Sequence, residues 1–143
     1  MELLERESIL QELAQLLTDA RTGGRLVAVC GEAGAGKTAV VDRFVADTKA
    51  RHLRGVCDSL FTPRPLGPLL DIVHQSAGAL RGAFDAGETR DRLFRAFLEE
   101  LESATPPTAI VFEDVHWADE ATLDLLKFAG RRIAQTRGLL IIT

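Results

Sequence analysis

Cysteine is scarce in this 143-residue chain: only Cys30 and Cys57 occur, far apart, with no Cys-x-x-Cys and no histidine pair beside either. That argues against a metal cluster and leaves the expectation of two small buried residues in a reducing, cytoplasmic compartment. No apolar run reaches the length needed to span a bilayer, so no membrane partner is expected. The first seven residues carry Glu2, Glu5 and Glu7 in place of a basic start and an apolar stretch, so no signal peptide is expected in them. Lysine is limited to Lys37, Lys49 and Lys127, no dense Lys/Arg block stands out, and the net charge is −4. Sequence-independent nucleic-acid binding by this segment is therefore not expected. Internal repeats and low-complexity stretches are also missing.

What is present suits one compact domain with a real core. Apolar residues make up 46% of the chain. Several of them fall in solid runs of four or five rather than alternating with polar ones, at residues 26–30, 109–112 and 139–142, and a further short strand is expected around Leu53 to Val56. Solid runs are what a parallel sheet covered on both faces requires. Between them lie helical periodicities. Ile9, Leu10, Leu13, Leu16, Leu17 and Ala20 form one, closed by Gly23-Gly24, and residues 38–50 form the next, with Val40, Val41, Phe44 and Val45 inward. Leu69, Leu70, Ile72, Val73, Ala77 and Leu80 predict a third helix, entered at Pro68 and weakened by Gly78. A flexible break is expected over residues 82–87. Thr89 then caps a helix carrying Leu93, Phe94, Phe97, Leu98 and Leu101, whose Arg90, Arg92 and Arg95 read as its solvated face. Asp119 caps a last helix through Leu123, Leu126, Ala129 and Ile133. The fold class is α/β. The last strand runs to the final residue, so residues 1–143 are expected to be the N-terminal part of a single domain, truncated from a longer protein.

Eight residues carry the chemistry. Gly31-Glu32-Ala33-Gly34-Ala35-Gly36-Lys37-Thr38 fits the phosphate-cradling pattern G-x-x-x-x-G-K-[ST] at every fixed position. Backbone N–H groups must turn inward to grip phosphate oxygens, so glycine is needed where the chain takes unusual dihedrals. Lys37 supplies a point charge for the β- and γ-phosphates, and Thr38 a hydroxyl for Mg²⁺. The helix beginning near Ala39 aims its positive end at the anion. A random chain of this length would match in roughly half a percent of cases, and the strand before and helix after are the context the pattern requires.

Downstream, Ala109-Ile110-Val111-Phe112 ends in Glu113-Asp114, a Walker B-like strand whose acids should reach the carboxyl edge of the sheet. One acid is expected to hold metal-bound water near Thr38, the other to orient the attacking water. Glu113, Asp114 and Lys37 are thus the candidate catalytic residues, and Thr38, Glu113 and Asp114 the candidate metal residues. His116, in the turn that follows, reads as a surface or supporting group. His52 and His74 read as structural or exposed.

Joined to the first motif, Val111-Phe112-Glu113-Asp114-Val115-His116-Trp117-Ala118-Asp119-Glu120-Ala121-Thr122-Leu123 resembles the ATP-binding domain of large bacterial LuxR-type regulators, in the STAND branch of AAA+-like P-loop ATPases with MalT-type activators. Asp58-Ser59-Leu60 and the run from Thr62 to Leu69 are similar to the same family. Glu5-Arg6-Glu7 resembles its Gly-Arg-Glu box, with Glu5 in place of glycine. The resemblance implies a five-stranded parallel sheet of order 5-1-4-3-2, of which the fifth strand is missing here. It implies ATP and ADP as ligands with Mg²⁺, contacts from Gly31 to Ala39 and from Arg6, and slow hydrolysis that is near absent in a fragment. In the whole protein it implies self-association through this domain and DNA binding only through a C-terminal domain not present in this sequence. Two alternatives stay open: a P-loop kinase acting on a small molecule, and a scaffold that retains nucleotide without turnover.

Overall fold

The computed structural model describes residues 3–31, 36–59, 64–102 and 107–143. Four strands, β1 (Arg25–Ala28), β2 (His52–Val56), β3 (Ala109–Glu113) and β4 (Leu139–Ile142), form a single sheet of order β1-β4-β3-β2. Every neighbouring pair is parallel. The expected order therefore holds for the four strands present. Among the described residues six α-helices connect and cover them: α1 (Leu3–Asp19), α2 (Lys37–Asp47), α3 (Gly67–Gln75), α4 (Ala79–Asp85), α5 (Arg90–Glu102) and α6 (Glu120–Arg132).

Alternation along the central strands divides the core in two. Ala109 and Val111 of β3, with Leu139 and Ile141 of β4, point to one face and pack with Leu13 of α1 and Val40, Val41 and Phe44 of α2. Ile110, Phe112 and Leu140 point to the other and meet Leu69, Ile72 and Val73 of α3, Phe97 and Leu101 of α5, and Leu125 of α6. Strands covered on both sides must be apolar at every position, which is why β3 and β4 read as unbroken runs. Each fully buried large aliphatic or aromatic side chain contributes about 1.5–3 kcal/mol over its exposed state. The ring of Phe97 meets Phe112 edge-on, with centroids 5.8 Å apart, joining α5 to β3.

Three sequence expectations need correction. The first apolar run was expected to be a buried strand, but β1 lies at the sheet edge and Leu26 is 40% exposed. Among the described residues its strand neighbour is β4 alone. The helix expected to continue from Leu69 to Leu80 instead ends at Gln75, and α4 begins at Ala79 with Gly78 as its N-cap. Residues 82–87, expected as a flexible break, place Gly82 inside α4, with Ala86 closing it.

A buried carboxylate explains the split between α3 and α4. Glu100 of α5 is 1% exposed, and it accepts hydrogen bonds from Ser76 Oγ at 2.6 Å, the Leu80 N–H at 3.0 Å and the Arg51 guanidinium at 3.0 Å. It therefore takes the chain on both sides of the break. A Cβ on Gly78 would come within 2.7 Å of Glu100 Oε1, so the linker has no room for a side chain there. Gly55 is required for a similar reason: a Cβ would strike the Pro68 carbonyl oxygen at 2.3 Å, where β2 and the start of α3 touch backbone to backbone.

Replacing Glu100 with alanine should leave Arg51 and the Ser76 hydroxyl without their partner. Arg51 is 37% exposed at its side chain, which screens part of the effect. A loss of about 3 kcal/mol in urea unfolding is expected, at the low end for breaking a buried ion pair.

Candidate functional site

The carboxyl ends of β1, β3 and β4 meet at one edge of the sheet, and a cavity of about 1050 Å³ opens there. It is bounded on one side by Gly31, Gly36, Lys37 and Thr38, and on the other by Asp114, His116 and Trp117. Residues more than seventy positions apart in sequence thus face each other across the end of β4.

On the glycine side, the loop passes into α2 through Gly36, which has φ 87° and ψ 18°. That is a left-handed conformation glycine adopts without strain. A Cβ on Gly36 would also meet the Arg6 guanidinium at 3.0 Å. Arg6 therefore reaches from α1 to the point where the loop enters the helix. Its Nε is the one buried side-chain nitrogen or oxygen without a hydrogen-bond partner among the described residues. Lys37 Nζ donates to the Gly31 carbonyl at 3.0 Å and so spans the loop. Thr38 and Ala39 are exposed on the first turn of α2 and line the cavity. Glu32, Ala33, Gly34 and Ala35 lie outside the described residues.

On the acid side the two carboxylates part company. Asp114 lines the cavity, whereas Glu113 is 6% exposed and is held by Arg54 of β2. Arg54 donates from Nε to one Glu113 oxygen at 2.9 Å and from a terminal nitrogen to the other at 2.6 Å. Its remaining terminal nitrogen reaches Asp42 of α2 at 2.6 Å. The hydrogen bond to Glu113 is the chief reason that the arginine's pKa is raised, against burial that would lower it. Strand geometry dictates the split: Glu113 follows the in–out alternation of β3 onto the α2 face, and Asp114 leaves the strand with φ 57°. Aspartate tolerates that left-handed turn better than most residues. The turn is fixed by the end of β4: the Asp114 N–H donates to Thr143 Oγ1 at 3.2 Å and the Val115 N–H to the Thr143 carbonyl at 2.9 Å.

Beyond Asp114 a single 3-10 turn, Val115–Trp117, carries His116 and Trp117, whose rings lie 5.1 Å apart. Both are exposed, as are His52 and His74. Asp119 caps α6 as the sequence suggests: it accepts from the Thr122 N–H at 3.1 Å and also from the Leu66 N–H at 3.1 Å. Burial acts to raise its pKa, but the bonds from Thr122 and Leu66 outweigh it and leave the carboxyl lowered. The segment after β2 is thereby pinned to the helix after β3.

Sequence reasoning missed Arg54, Asp42 and Thr143. The only signal was a charged residue inside the apolar strand Leu53–Val56. It also placed both cysteines in the core. Cys57 is buried, but Cys30 is exposed and lines the cavity.

The donor set fits a magnesium nucleotide. Lys37 and the unpaired Arg6 nitrogen suit an anion, while the Thr38 hydroxyl and Asp114 carboxylate suit a hard cation. Among the described residues no group of three or more His, Cys, Asp or Glu could hold a metal by itself. Mg²⁺ carried with a nucleotide usually takes phosphate oxygens and waters beside one or two protein ligands. Among the described residues no helix is long and apolar enough to cross a membrane.

A parallel sheet with a glycine loop opening a helix at its carboxyl edge, opposite an acidic strand end, defines a P-loop nucleotide-binding domain. The profile of the AAA ATPase domain family matches residues 2–142, and the chain belongs to that family. Nucleotide binding, with Mg²⁺ as its usual companion, follows from membership. A protein of Rhizobium meliloti (strain 1021), named only as uncharacterized protein R02095, is 26% identical over a 187-residue alignment. That alignment covers 99% of this chain and 18% of the relative, so the chain spans less than a fifth of the relative's length.

Two outcomes follow from the local geometry. Iodoacetamide should modify Cys30 well before Cys57, as read by peptide mass spectrometry, and Mg-ADP should slow the Cys30 reaction. Burial, then the charges of Asp119, Asp114 and Asp71, push the Cys57 thiol up to about 11. The folded value exceeds the unfolded one, so the stability tied to this thiol is intact below pH 9 and declines as pH rises toward 11. Asp119→Ala should cost about 1 kcal/mol in thermal or urea unfolding through loss of the helix cap.

Proposed function

We propose that this chain is a nucleotide switch domain that binds ATP and ADP with Mg²⁺ and hydrolyses ATP slowly. One observation carries the reading: Lys37, Thr38 and Asp114, from two distant motifs, line a single cavity beside the Arg6 guanidinium. Lys37 and the amides from Gly31 to Thr38 grip the phosphates, and Ala39 lies at the helix end that faces them. Arg6 completes the anion site from α1. Thr38 and Asp114 are the residues that would hold Mg²⁺, with Glu113 behind them; the ion would supply positive charge against the phosphate oxygens. The role of orienting the attacking water is assigned to Asp114, a reading supported by its position on the cavity wall, which Glu113 does not line.

The parent is read as a LuxR-type transcriptional regulator of the STAND group. Support comes from the Glu113–Leu123 run, which resembles that family more specifically than the glycine loop does. On this reading the whole protein self-associates in one nucleotide state and reaches DNA through a separate domain. A small-molecule kinase is the weaker reading. The neighbouring cavity of about 450 Å³ is lined by Asp58, Asp71, Asp114 and Asp119 against Arg64 alone, which disfavours an anionic acceptor.

Titration with a fluorescent ADP analogue tests the proposal. Wild type should bind in the presence of Mg²⁺, and Lys37→Ala should weaken binding at least about tenfold, as expected for losing a charge-assisted contact to phosphate. No binding by wild type, or binding unchanged in Lys37→Ala, overturns it.

A further inference from the structure

The Arg54 side chain satisfies both oxygens of one candidate metal ligand and, at the same time, an acid on the cavity wall. Glu113 is 8% exposed at its side chain and Arg54 24%. Asp42, the third member, is one helical turn beyond Thr38 and lines the cavity with it. A guanidinium therefore sits between two carboxylates, one of which, Asp42, shares the cavity wall with Thr38 and Asp114. Acids near a cation site would normally raise its affinity for a divalent ion. Here their charge is already answered by a cation that belongs to the protein.

We infer that Arg54 is a resident counter-cation that sets the divalent-cation affinity of the nucleotide site by holding Glu113 and Asp42. The inference rests on the nucleotide reading above and assigns Arg54 a positioning role: it touches neither phosphate nor metal and acts through the two carboxylates. Three physical points support it. The Arg54–Glu113 pairing is bidentate, a geometry lysine cannot reproduce. A largely buried carboxylate is strongly destabilised without a partner, so Glu113 stays with Arg54 unless another cation takes its place. The same guanidinium ties β2 and β3 to α2, so the first turn of α2, with Lys37 and Thr38, is held against the acidic strand end.

Removing the arginine should therefore uncover charge that a metal can use. The experiment counts free Mn²⁺ by electron paramagnetic resonance in the presence of the ADP-saturated chain, with folding checked by circular dichroism. Arg54→Gln should bind Mn²⁺ about fivefold more tightly than wild type, because a positive charge beside the site is gone. Arg54→Gln combined with Glu113→Gln should return to within about twofold of wild type, since both members of the pair are then neutral. Arg90→Gln removes the same charge from α5, which contributes nothing to the cavity, and should leave Mn²⁺ affinity unchanged. If Arg54→Gln does not fold, Arg54→Lys keeps the charge but loses the fork, and a gain of about twofold is expected.

An Arg54 variant that folds, binds ADP and shows Mn²⁺ affinity equal to or weaker than wild type overturns the inference and leaves the nucleotide reading standing. A gain of the same size in Arg90→Gln also overturns it, because net charge would then be the cause. Wild type that binds neither ADP nor Mn²⁺ with ADP overturns both.

Discussion

The parallel pairing of β4 between β1 and β3 is the constraint on which the site depends. Because all three strands run the same way, their carboxyl ends share one edge. Because β4 lies between the other two, the glycine loop after β1 and the acids after β3 are separated by one strand width and must face each other. Neither motif can hold a nucleotide from its own segment. The hydroxyl and carbonyl of Thr143, at the end of β4, then fix the backbone turn at Asp114. The strand that spaces the two motifs also aims one of the acids.

Packing enforces that arrangement from both faces. The α1/α2 layer seats on Ala109, Val111, Leu139 and Ile141, and the α3/α5/α6 layer on Ile110, Phe112 and Leu140. A shift of β3 by one residue would turn Ala109, Ile110, Val111 and Phe112 to the wrong faces and carry Glu113 and Asp114 with them. Chemistry at the carboxyl edge is thus tied to core packing in the middle of the strands. At the other end of the sheet the Glu100 cluster plays a purely architectural part. It anchors the α3–α4 break and the start of β2, the strand that carries Arg54.

Adjacent acids at a strand end are placed by the pleat in different environments. Glu113 enters a nearly dry contact with Arg54, while Asp114 turns into the cavity. Their surroundings differ for that reason rather than from any difference between aspartate and glutamate. An arginine in β2 links the first acid to α2, so β2, β3 and α2 are joined through one guanidinium. Family membership gives the general chemistry of such a site, and the Arg54–Glu113–Asp42 chain is how these particular residues are arranged behind it.

Much of this was legible in the sequence for simple physical reasons. Solid apolar runs announce strands covered on both sides, three-and-four spacing announces helices, and a phosphate loop has so few residue solutions that Gly31, Gly36, Lys37 and Thr38 can be read directly. Strand order followed from the resemblance and agrees with the fold. Long-range partners were not legible. The exposed edge of β1, the break at Gly78 and the exposure of Cys30 depend on what lies beside each residue, which no local pattern records. Whether Glu113 or Asp114 faces the cavity was left open because the answer lies in Arg54, fifty-nine positions earlier, and in Thr143, twenty-nine later. The chain by itself determined which groups are able to bind phosphate and metal, since that is a matter of side-chain chemistry. Only the folded sheet decided which of them meet, since that is a matter of distance between segments the sequence keeps apart.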